Sequence, residues 1–444
     1  MRTFIDVLRD NAVHCDRSVT FVRAAGDERV VSYPDLWLEA RRRAHALLSL
    51  GLQRGDRVAL VLPEPDEFVL TFIAALTAGV VAVPIFPPQT LAKMEAYGDT
   101  VRHVLAASGA AVLVTNDALR PLIEQHLVAG HSTARVVVER DVREAAGFEG
   151  QAPEPVKLDD LAFLQFTSGS TSRPKGVMVT HENLSVNSHA IMFDGLRSTP
   201  EDRGVSWLPL YHDMGLLMIM FPALSGGYLT LMSPLAFVRR PSRWIAQLGA
   251  HAEVGRTFAA APNFAFELAA QRGLPAPGEK LDLSNVAGLI NGSEPVNMAS
   301  VQKFTDAFAP YGLSPTVVRP SYGMAEATLF VSTIEPGTVA RVLHLDRDKL
   351  GSGVAEEVSP DAPEAVALVS CGRVARSQWA VIVDPQTEAE LSDGRVGEIW
   401  LHGDNIGRGY WRRTAETRDT FGNKLQSRLS AGSHAEGSAV GGTW

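Results

Sequence analysis

The sequence predicts an α/β protein with two βαβ-type subdomains, whose mainly parallel sheets are covered by helices, and a small β-rich subdomain of the distorted-barrel type. Two observations lead to this prediction. Short apolar runs alternate with helical periodicity from about residue 57 to 330, and this alternation fades beyond about residue 335. Strands that alternate with helices form βαβ units and parallel sheets.

The alternating region begins with a predicted buried strand at residues 57–63, RVALVLP, and a helix that ends at Gly79. A second helix is predicted to end near residue 110. Further strands are predicted at residues 80–86, 110–116, 286–292 and 316–323. Right-handed crossovers place the loops that follow such strands along one edge of the sheet, where ligands bind.

The last part of the chain contains predicted strands at residues 379–385 and 397–403, and a tail at 423–444 rich in Gly, Ser and Ala that we expect to be a loop. We divide the chain into two intertwined α/β subdomains, at about 1–190 and 191–334, and a β-rich subdomain at 335–444.

Composition excludes several classes of protein. The chain has 444 residues, of which 45% are hydrophobic and 20% charged, as in ordinary globular proteins. Its formal net charge of −9 argues against a nucleic-acid partner. Cys15 and Cys371 lie far apart without metal-type spacing, which fits a reducing compartment. No signal peptide or continuous apolar stretch of about 20 residues is present. We therefore expect a cytoplasmic protein without stable membrane insertion.

Residues 161–181, LAFLQFTSGSTSRPKGVMVTH, combine an apolar strand, a loop of Thr, Ser and Gly, then Lys175-Gly176 and a second strand. Consecutive N–H groups in such a loop can bind phosphate, and Lys175 adds positive charge. The Walker A spacing is absent. A polar surface turn is the alternative. The candidate phosphate-binding residues are Thr167, Ser168, Gly169, Ser170 and Thr171.

The string TSGSTSRPKG at Thr167–Gly176 resembles the signature phosphate loop of the adenylate-forming superfamily, which includes acyl-CoA ligases, luciferases, peptide-synthetase adenylation domains and fatty acyl-AMP ligases. Ser172 stands where many members have Gly, a departure that recurs in the fatty acyl-AMP ligase branch. The resemblance covers nearly the whole chain and implies a large N-terminal adenylate-forming domain at 1–444. It also implies a catalytic role for Lys175.

Residues 205–217, VSWLPLYHDMGLL, predict a strand followed by a helix that opens at Tyr211, His212 and Asp213. A lone His at a helix start is either structural or able to orient a carboxylate substrate. The string resembles the His-Asp-Met-Gly-Leu string of fatty acyl-AMP ligases, which implies a catalytic His212. The Phe-Asp context typical of amino-acid-activating domains is absent.

Two predicted strands end in loops of small and polar residues at 288–296, GLINGSEPV, and 319–329, RPSYGMAEATL. The resemblance implies that Glu326 holds Mg²⁺ and that Tyr322 lies against the adenine ring. A single carboxylate with phosphate oxygens suffices for Mg²⁺. An acid at a helix N-terminus is the alternative for Glu326. The other implied nucleotide-binding residues are Gly292, Ser293, Glu294, Ser321, Gly323 and Met324.

Three further segments leave alternatives open. The arginines of residues 236–245, AFVRRPSRWI, suit either a phosphate patch or a solvated helix start. Asn263, Phe264 and Phe266 resemble residues of the family's acyl tunnel, but their spacing is equally that of ordinary core. Residues 334–370 resemble the insertion that marks fatty acyl-AMP ligases, with an unrelated surface hairpin as the alternative.

The resemblance implies that a fatty acid attacks ATP, with Mg²⁺ bound, to give acyl-adenylate and pyrophosphate. An acyl carrier protein with a phosphopantetheine arm then takes the acyl group, in lipid or polyketide/lipopeptide biosynthesis. A fatty acyl- or aryl-CoA ligase and a non-catalytic binding module are the alternatives. In the family, a ribose-binding Asp and a small C-terminal domain follow the Gly-Thr-Trp string that ends here at Trp444. We therefore expect a truncated chain that binds ATP but adenylates slowly alone.

Overall fold

A computed structural model of the protein describes residues 1–88, 94–129, 134–145, 153–167, 173–218, 220, 226–251, 253–376, 378–429 and 443–444. The first strands in chain order are β1 Ser18–Val22, β2 Glu28–Ser32, β3 Arg57–Val61, β4 Val81–Pro84, β5 Val112–Thr115, β6 Arg135–Val138, β7 Leu161–Thr167, β8 Lys175–Thr180, β9 Arg203–Ser206 and β10 Tyr228–Met232. The later strands are β11 Thr257–Ala261, β12 Val286–Asn291, β13 Val318–Gly323, β14 Phe330–Thr333, β15 Val342–Asp346, β16 Ala365–Val369, β17 Arg373–Val374, β18 Gln378–Asp384, β19 Ala389–Glu390 and β20 Glu398–Gly403.

The described helices cover both large sheets. The first seven are α1 Phe4–His14, α2 Tyr33–Ser49, α3 Pro65–Thr77, α4 Met94–Ser108, α5 Arg120–Ala129, α6 Glu139–Glu144 and α7 His181–His189. A π-helical turn, Ala190–Gly195, continues α7. The others are α8 Asp213–Leu217, α9 Pro234–Arg239, α10 Pro241–Gly249, α11 Asn263–Arg272, α12 Met298–Phe308, α13 Arg347–Gly351 and α14 Thr414–Phe421. None of these helices has the length and apolar character needed to cross a membrane.

The first large sheet has six strands in the order β6-β5-β3-β4-β7-β8, and every neighbouring pair is parallel except β7 and β8. Its unit β3–α3–β4 matches the strand–helix–strand predicted at 57–86. Nearly every residue of α3 is buried, because the helix is packed between this sheet and its neighbours. Gly79, at a φ of 69°, provides the left-handed residue that ends α3.

The second large sheet has nine strands in the order β17-β14-β13-β12-β11-β9-β10-β1-β2. It is parallel from β13 to β1, and its antiparallel pairs lie at the two edges. The N-terminal strand β1 therefore pairs with β10, a strand that lies about 200 residues later in the chain, as register partners Val19 and Leu229 illustrate, and β2 extends the sheet by pairing with β1. The predicted fold class is confirmed, whereas the domain boundaries stay a prediction.

The strands in the last hundred residues mostly belong to small antiparallel sheets. β18 pairs with β19 and β20, as predicted for 379–385 and 397–403. Residues 334–370 contain the β15–β16 hairpin and α13, and Ala355 N–H donates to the Gly394 carbonyl at 2.8 Å. Trp444 packs against Val381, Val383 and Trp400. Most of the predicted loop at 423–444 lies outside the described residues.

Candidate active site

A cavity of about 800 Å³ opens where strands of both large sheets reach their carboxyl ends. Such edges are where parallel α/β sheets bind ligands. The six-stranded sheet provides the last residues of β7 and the residues at the end of β4 and just after it, and the nine-stranded sheet provides those at the ends of β11, β12 and β13. Among the described residues, most of those that the sequence predicted for the site line this cavity.

The lining of the cavity includes a polar set and an apolar set of residues. We call the first set the polar end: Thr167, His212, Asp213, Ser293, Tyr322 and Glu326. We call the apolar end the set that surrounds the π-helical turn: Ile191, Gly195, Leu196, Phe258, Ile290 and Phe330. A further apolar wall comes from β4, its following loop and α4: Pro84, Ile85, Phe86, Tyr97 and Val104.

The candidate phosphate loop connects β7 to β8. Thr167 and Lys175 are register partners in this hairpin, so both ends of the loop are fixed by the ladder. The Pro174 carbonyl is 3.0 Å from His103 Nε2 on α4, which holds the end of the loop against that helix. The predicted residues Ser168, Gly169, Ser170 and Thr171, and Ser172 with them, lie outside the described residues.

Lys175 and Glu326 approach the same aromatic ring, although Lys175 does not line the cavity. The Lys175 ammonium lies 4.9 Å from the ring centroid of Tyr410. The Tyr410 hydroxyl donates to Glu326 Oε1 at 2.7 Å. Burial and this hydrogen bond raise the pKa of Tyr410, so its hydroxyl stays a donor. Tyr410 was missed by the sequence reasoning, because it is far from Glu326 in the chain.

The backbone around Glu326 is fixed by buried amide side chains. Glu326 lies in a 3₁₀ turn, Ala325–Ala327. Asn187 Nδ2 and Asn405 Nδ2 each donate to the Ala327 carbonyl at 3.2 Å. Thr328, at a φ of 67°, donates its hydroxyl to the Asn405 carbonyl at 2.7 Å. Buried polar groups satisfied in this way hold one conformation, and they place the carboxylate in the polar end.

Tyr322 and its neighbours form the strand end beside Glu326. Tyr322 and Gly323 line the cavity, and a Cβ on Gly323 would lie 2.2 Å from the Leu329 carbonyl oxygen. Only glycine fits that close approach. Ser321 lines the cavity too, and its hydroxyl donates to Thr333 Oγ1 at 2.7 Å. Met324 does not line the cavity and packs beside Ala327.

The three nucleotide-binding residues predicted in the loop after β12 lie in two different places. Gly292 and Ser293 line the cavity, and Ser293, at a φ of 67°, contacts the Met214 sulfur through its hydroxyl at 2.9 Å. Glu294 is exposed and accepts a hydrogen bond from Phe264 N–H at 2.6 Å, at the N-terminus of α11. The structure therefore brings Glu294 to a helix end rather than to the cavity wall.

His212 is the N-cap residue of α8, as predicted, and its exposed side chain lines the cavity. The next residue, Asp213, accepts a hydrogen bond from Met214 N–H at 2.7 Å. Burial raises the pKa of Asp213, and the negative charge of Glu326 raises it further. The polar end therefore combines two acidic groups with one imidazole, a charge pattern that suits a cation or a phosphate-bound metal.

Gln165 is a lining residue that the sequence reasoning missed. It is buried on β7, and its Nε2 donates to the Tyr211 carbonyl at 3.0 Å. Its Oε1 has no hydrogen-bond partner among the described residues, although it is buried. Such an unpartnered acceptor is costly unless a ligand or water meets it. The available signal was the single polar residue inside the apolar run LAFLQF.

The residues at 236–245 and 263–266, for which the sequence left two interpretations open, lie outside the cavity lining. Phe266 is fully buried against Trp244 and Phe304 in the core below the nine-stranded sheet. Asn263 accepts a hydrogen bond from Asn291 Nδ2 at 3.1 Å, and Phe264 is exposed. None of these three residues lines the cavity. The exposed arginines Arg239 and Arg240 lie at the end of α9, outside the cavity lining.

Comparison with known proteins identifies the class to which this site belongs. The family model described as AMP-binding enzyme matches residues 8–411, and the chain belongs to this family. The resemblance inferred from the string at Thr167–Gly176 is thereby confirmed.

Particular relatives narrow the class. Long-chain-fatty-acid–AMP ligase FadD32 of Mycobacterium marinum is 46% identical over 420 residues, covering 92% of this chain and 65% of that protein. Putative fatty-acid–CoA ligase fadD25 of Mycobacterium tuberculosis is 38% identical over 418 residues, covering 91% of this chain and 70% of that protein. The chain thus spans just under two thirds of the length of the M. marinum relative.

A solved structure agrees with these relatives. The crystal structure of a fatty acyl-adenylate ligase from L. pneumophila, in complex with acyl adenylate and pyrophosphate, is similar at a TM-score of 0.84 and 31% sequence identity. The similarity covers 94% of this chain and 72% of that one.

Proposed function

We propose that the protein activates a medium- or long-chain fatty acid as its acyl-adenylate. The observation that carries the proposal is that one cavity joins the polar end, with Glu326, His212 and Tyr322, to the apolar end around Phe258 and Phe330. A nucleotide needs polar contacts and a fatty acid needs apolar surface. The names of the M. marinum and L. pneumophila relatives support the same chemistry.

In this reaction a carboxylate oxygen attacks the α-phosphorus of ATP, the bond from that phosphorus to the bridging oxygen breaks, and pyrophosphate leaves. The chain contributes position and charge. Thr167 and the loop after it meet the phosphates, while Tyr322, Gly292 and Ser293 meet the nucleoside. His212 lies where it can orient the carboxylate and offset its charge.

Glu326 fits the Mg²⁺ that this chemistry uses. Among the described residues no cluster of three or more His, Cys, Asp and Glu side chains is arranged to hold a metal ion. Mg²⁺, however, prefers one or two carboxylates with phosphate oxygens and water. Glu326 offers a half-buried carboxylate, of which Tyr410 occupies one oxygen, and Asp213 lies close enough to interact with its charge. Mg²⁺ bound there would neutralise charge on the phosphates.

We further propose that the acyl group passes to a carrier protein. The phosphopantetheine thiol attacks the acyl carbonyl, a thioester forms, and AMP leaves. The fatty-acid–AMP ligase names of relatives support this acceptor. A second candidate acceptor is free coenzyme A, which the name of the M. tuberculosis relative favours.

Product analysis tests the function and separates the acceptors. The protein is incubated with ATP, Mg²⁺ and a panel of fatty acids, and the products are identified by mass spectrometry. We expect acyl-AMP and pyrophosphate, and a thioester when a holo-carrier protein is added. A thioester with coenzyme A instead would identify a CoA ligase. Absence of acyl-AMP with every acid, together with no binding of acyl-adenylates, would overturn the proposal.

A further inference from the structure

The π-helical turn Ala190–Gly195 forms one wall of the apolar end. Its backbone bond from Leu196 N–H to the Ile191 carbonyl, at 2.8 Å, spans five residues instead of the four of an α-helix. Ile191, Gly195 and Leu196 line the cavity. A π-helical turn gives this wall a shape that a regular α-helix would not give. Such turns are rare and often occur at functional sites.

The buried Arg319 binds this turn to the nine-stranded sheet. Its Nη1 donates to the Gly195 carbonyl at 3.2 Å, and its Nη2 donates to the Ala287 carbonyl at 2.6 Å. Arg319 is 3% exposed and forms no ion pair with a described carboxylate. Burial, with Arg256 and Arg197 nearby, lowers the pKa of Arg319 to about 10, so it stays charged at neutral pH. A buried cation without a counterion is costly, and its bonds to carbonyls offset that cost.

Gly195 also contacts Phe330 across the apolar end. A Cβ added to Gly195 would lie 3.0 Å from Phe330 Cζ, closer than ordinary packing permits. The backbone of Phe330 is held in place, because the Asn187 side chain binds both the Phe330 N–H, at 3.0 Å, and the Phe330 carbonyl, at 2.9 Å. The Phe330 ring therefore occupies the space that the missing side chain of Gly195 leaves, and a side chain at this position would displace the ring.

We infer that Gly195 and Phe330 set the length of acyl chain that the cavity accepts, and that Arg319 is a positioning residue which maintains this limit by holding the turn. The inference rests on the proposed function. An alkyl chain whose carboxylate lies near Glu326 and His212 shares the cavity with Phe330, which is part of its apolar lining. Each methylene that does not fit then costs about tenfold or more in affinity.

Binding of non-hydrolysable acyl-sulfamoyl adenosines, from hexanoyl to eicosanoyl, measures this limit by calorimetry. For Gly195→Ala we expect at least a tenfold loss for the longest chains that the unaltered protein binds, with hexanoyl and AMP binding unchanged. For Phe330→Ala we expect the opposite shift, toward longer chains. Gly351→Ala is the matched control, since a Cβ there meets nothing within 4 Å and Gly351 lies outside the cavity. Equal effects on all chain lengths would overturn the inference.

Arg319→Met tests the positioning role. We expect the affinities for long and short analogues to differ several-fold less than in the unaltered protein. We expect Arg319→Lys to restore the original difference. Arg203→Met is the control, because Arg203 is also buried and bonded to a carbonyl, that of Ala250, but does not contact the turn. If both variants lower the melting temperature and neither alters the profile, Arg319 is only structural. If Arg319→Met does not fold, the Gly195 and Phe330 variants decide the inference.

The outcomes separate this inference from the proposed function. If the unaltered protein binds no acyl-adenylate analogue, the proposed function fails. If it binds them, but Gly195→Ala leaves the length profile unchanged, the proposed function stands and the inference fails.

Discussion

The two ends of the cavity are built in different ways. In the polar end, single functional groups from distant parts of the chain meet through hydrogen bonds, as Glu326 and Tyr410 do. In the apolar end, a local turn packs on Phe258 and Phe330, and the shape of the space matters more than any one group. Substitutions in the polar end are therefore expected to lower rates, and those in the apolar end to change selectivity.

The largest effect is expected from Glu326→Gln. Loss of its charge removes the group that fits Mg²⁺, and we expect adenylate formation to fall by about a hundredfold to a thousandfold. The measurement is pyrophosphate release at saturating fatty acid. Glu294→Gln is the matched control, since Glu294 lies at the N-terminus of α11 outside the cavity lining. A similar loss in both variants would contradict the distinction drawn between these two acids.

Asn187→Ala is expected to disturb both ends together. Asn187 is fully buried and binds the carbonyls of Ala327 and Phe330 as well as Phe330 N–H. Its removal leaves buried groups unsatisfied, and we expect the free energy of unfolding to fall by about 2–3 kcal/mol. Urea denaturation gives this value.

The control for this variant is Asn297→Ala, which removes the N-cap of α12 and is expected to cost about 1 kcal/mol. Only Asn187→Ala is expected to weaken both AMP binding and acyl-chain discrimination. If the two variants affect binding equally, Asn187 does not couple the ends.

Tyr410→Phe is expected to affect the polar end alone and more weakly. The variant removes the hydrogen bond to Glu326 but keeps the ring beside the Lys175 ammonium. A hydrogen bond to a charged group contributes about 1.5–3 kcal/mol, so we expect about a tenfold to hundredfold rise in the Mg²⁺ concentration needed for half-maximal adenylation. An unchanged Mg²⁺ requirement would show that Tyr410 does not position the carboxylate. The acyl-length profile is the internal control.

The sequence predicted those parts of the molecule that depend on local pattern. The strand–helix–strand at 57–86, the strand–loop–strand at 161–181, and the strand end with Tyr322 and Glu326 all follow from runs of neighbouring residues. The string resemblance supplied roles that periodicity alone does not give. The cavity lining then brought Thr167, His212, Tyr322 and Glu326 into one space.

Contacts between distant segments could not be predicted in this way. Tyr410 reaches Glu326 because residues 408–411 pair with β8, and the bridge between Val177 and Tyr410 joins chain segments more than 200 residues apart. Arg319 lies in the strand predicted at 316–323, and nothing in that pattern indicates that its side chain donates to the Gly195 carbonyl in the π-helical turn. The spacing of residues along the chain does not predict such pairings, because they form only when the two sheets and the last part of the chain pack together.

Glu67, a half-buried acid that belongs to neither end of the cavity, provides the smallest expected effect and a baseline for the comparison. Burial, with Glu139 and Asp66 nearby, raises the pKa of Glu67 from 4.5 to about 7. Between about pH 4.5 and 7 the folded protein therefore holds a proton that the unfolded chain loses, so stability falls as pH rises through this window.

Glu67→Gln removes that dependence. Because Glu67 is only partly buried, we expect a gain of about 1–2 kcal/mol in the free energy of unfolding at pH 8 and little change at pH 5. Guanidinium denaturation at the two pH values measures it, with the exposed Glu95→Gln on α4 as control. Glu67 does not line the cavity, so adenylation and the acyl-length profile are expected to stay unchanged. A changed acyl-length profile would mean that the ends of the cavity respond to packing elsewhere in the six-stranded sheet. Rates and selectivity would then not be governed separately by the two ends.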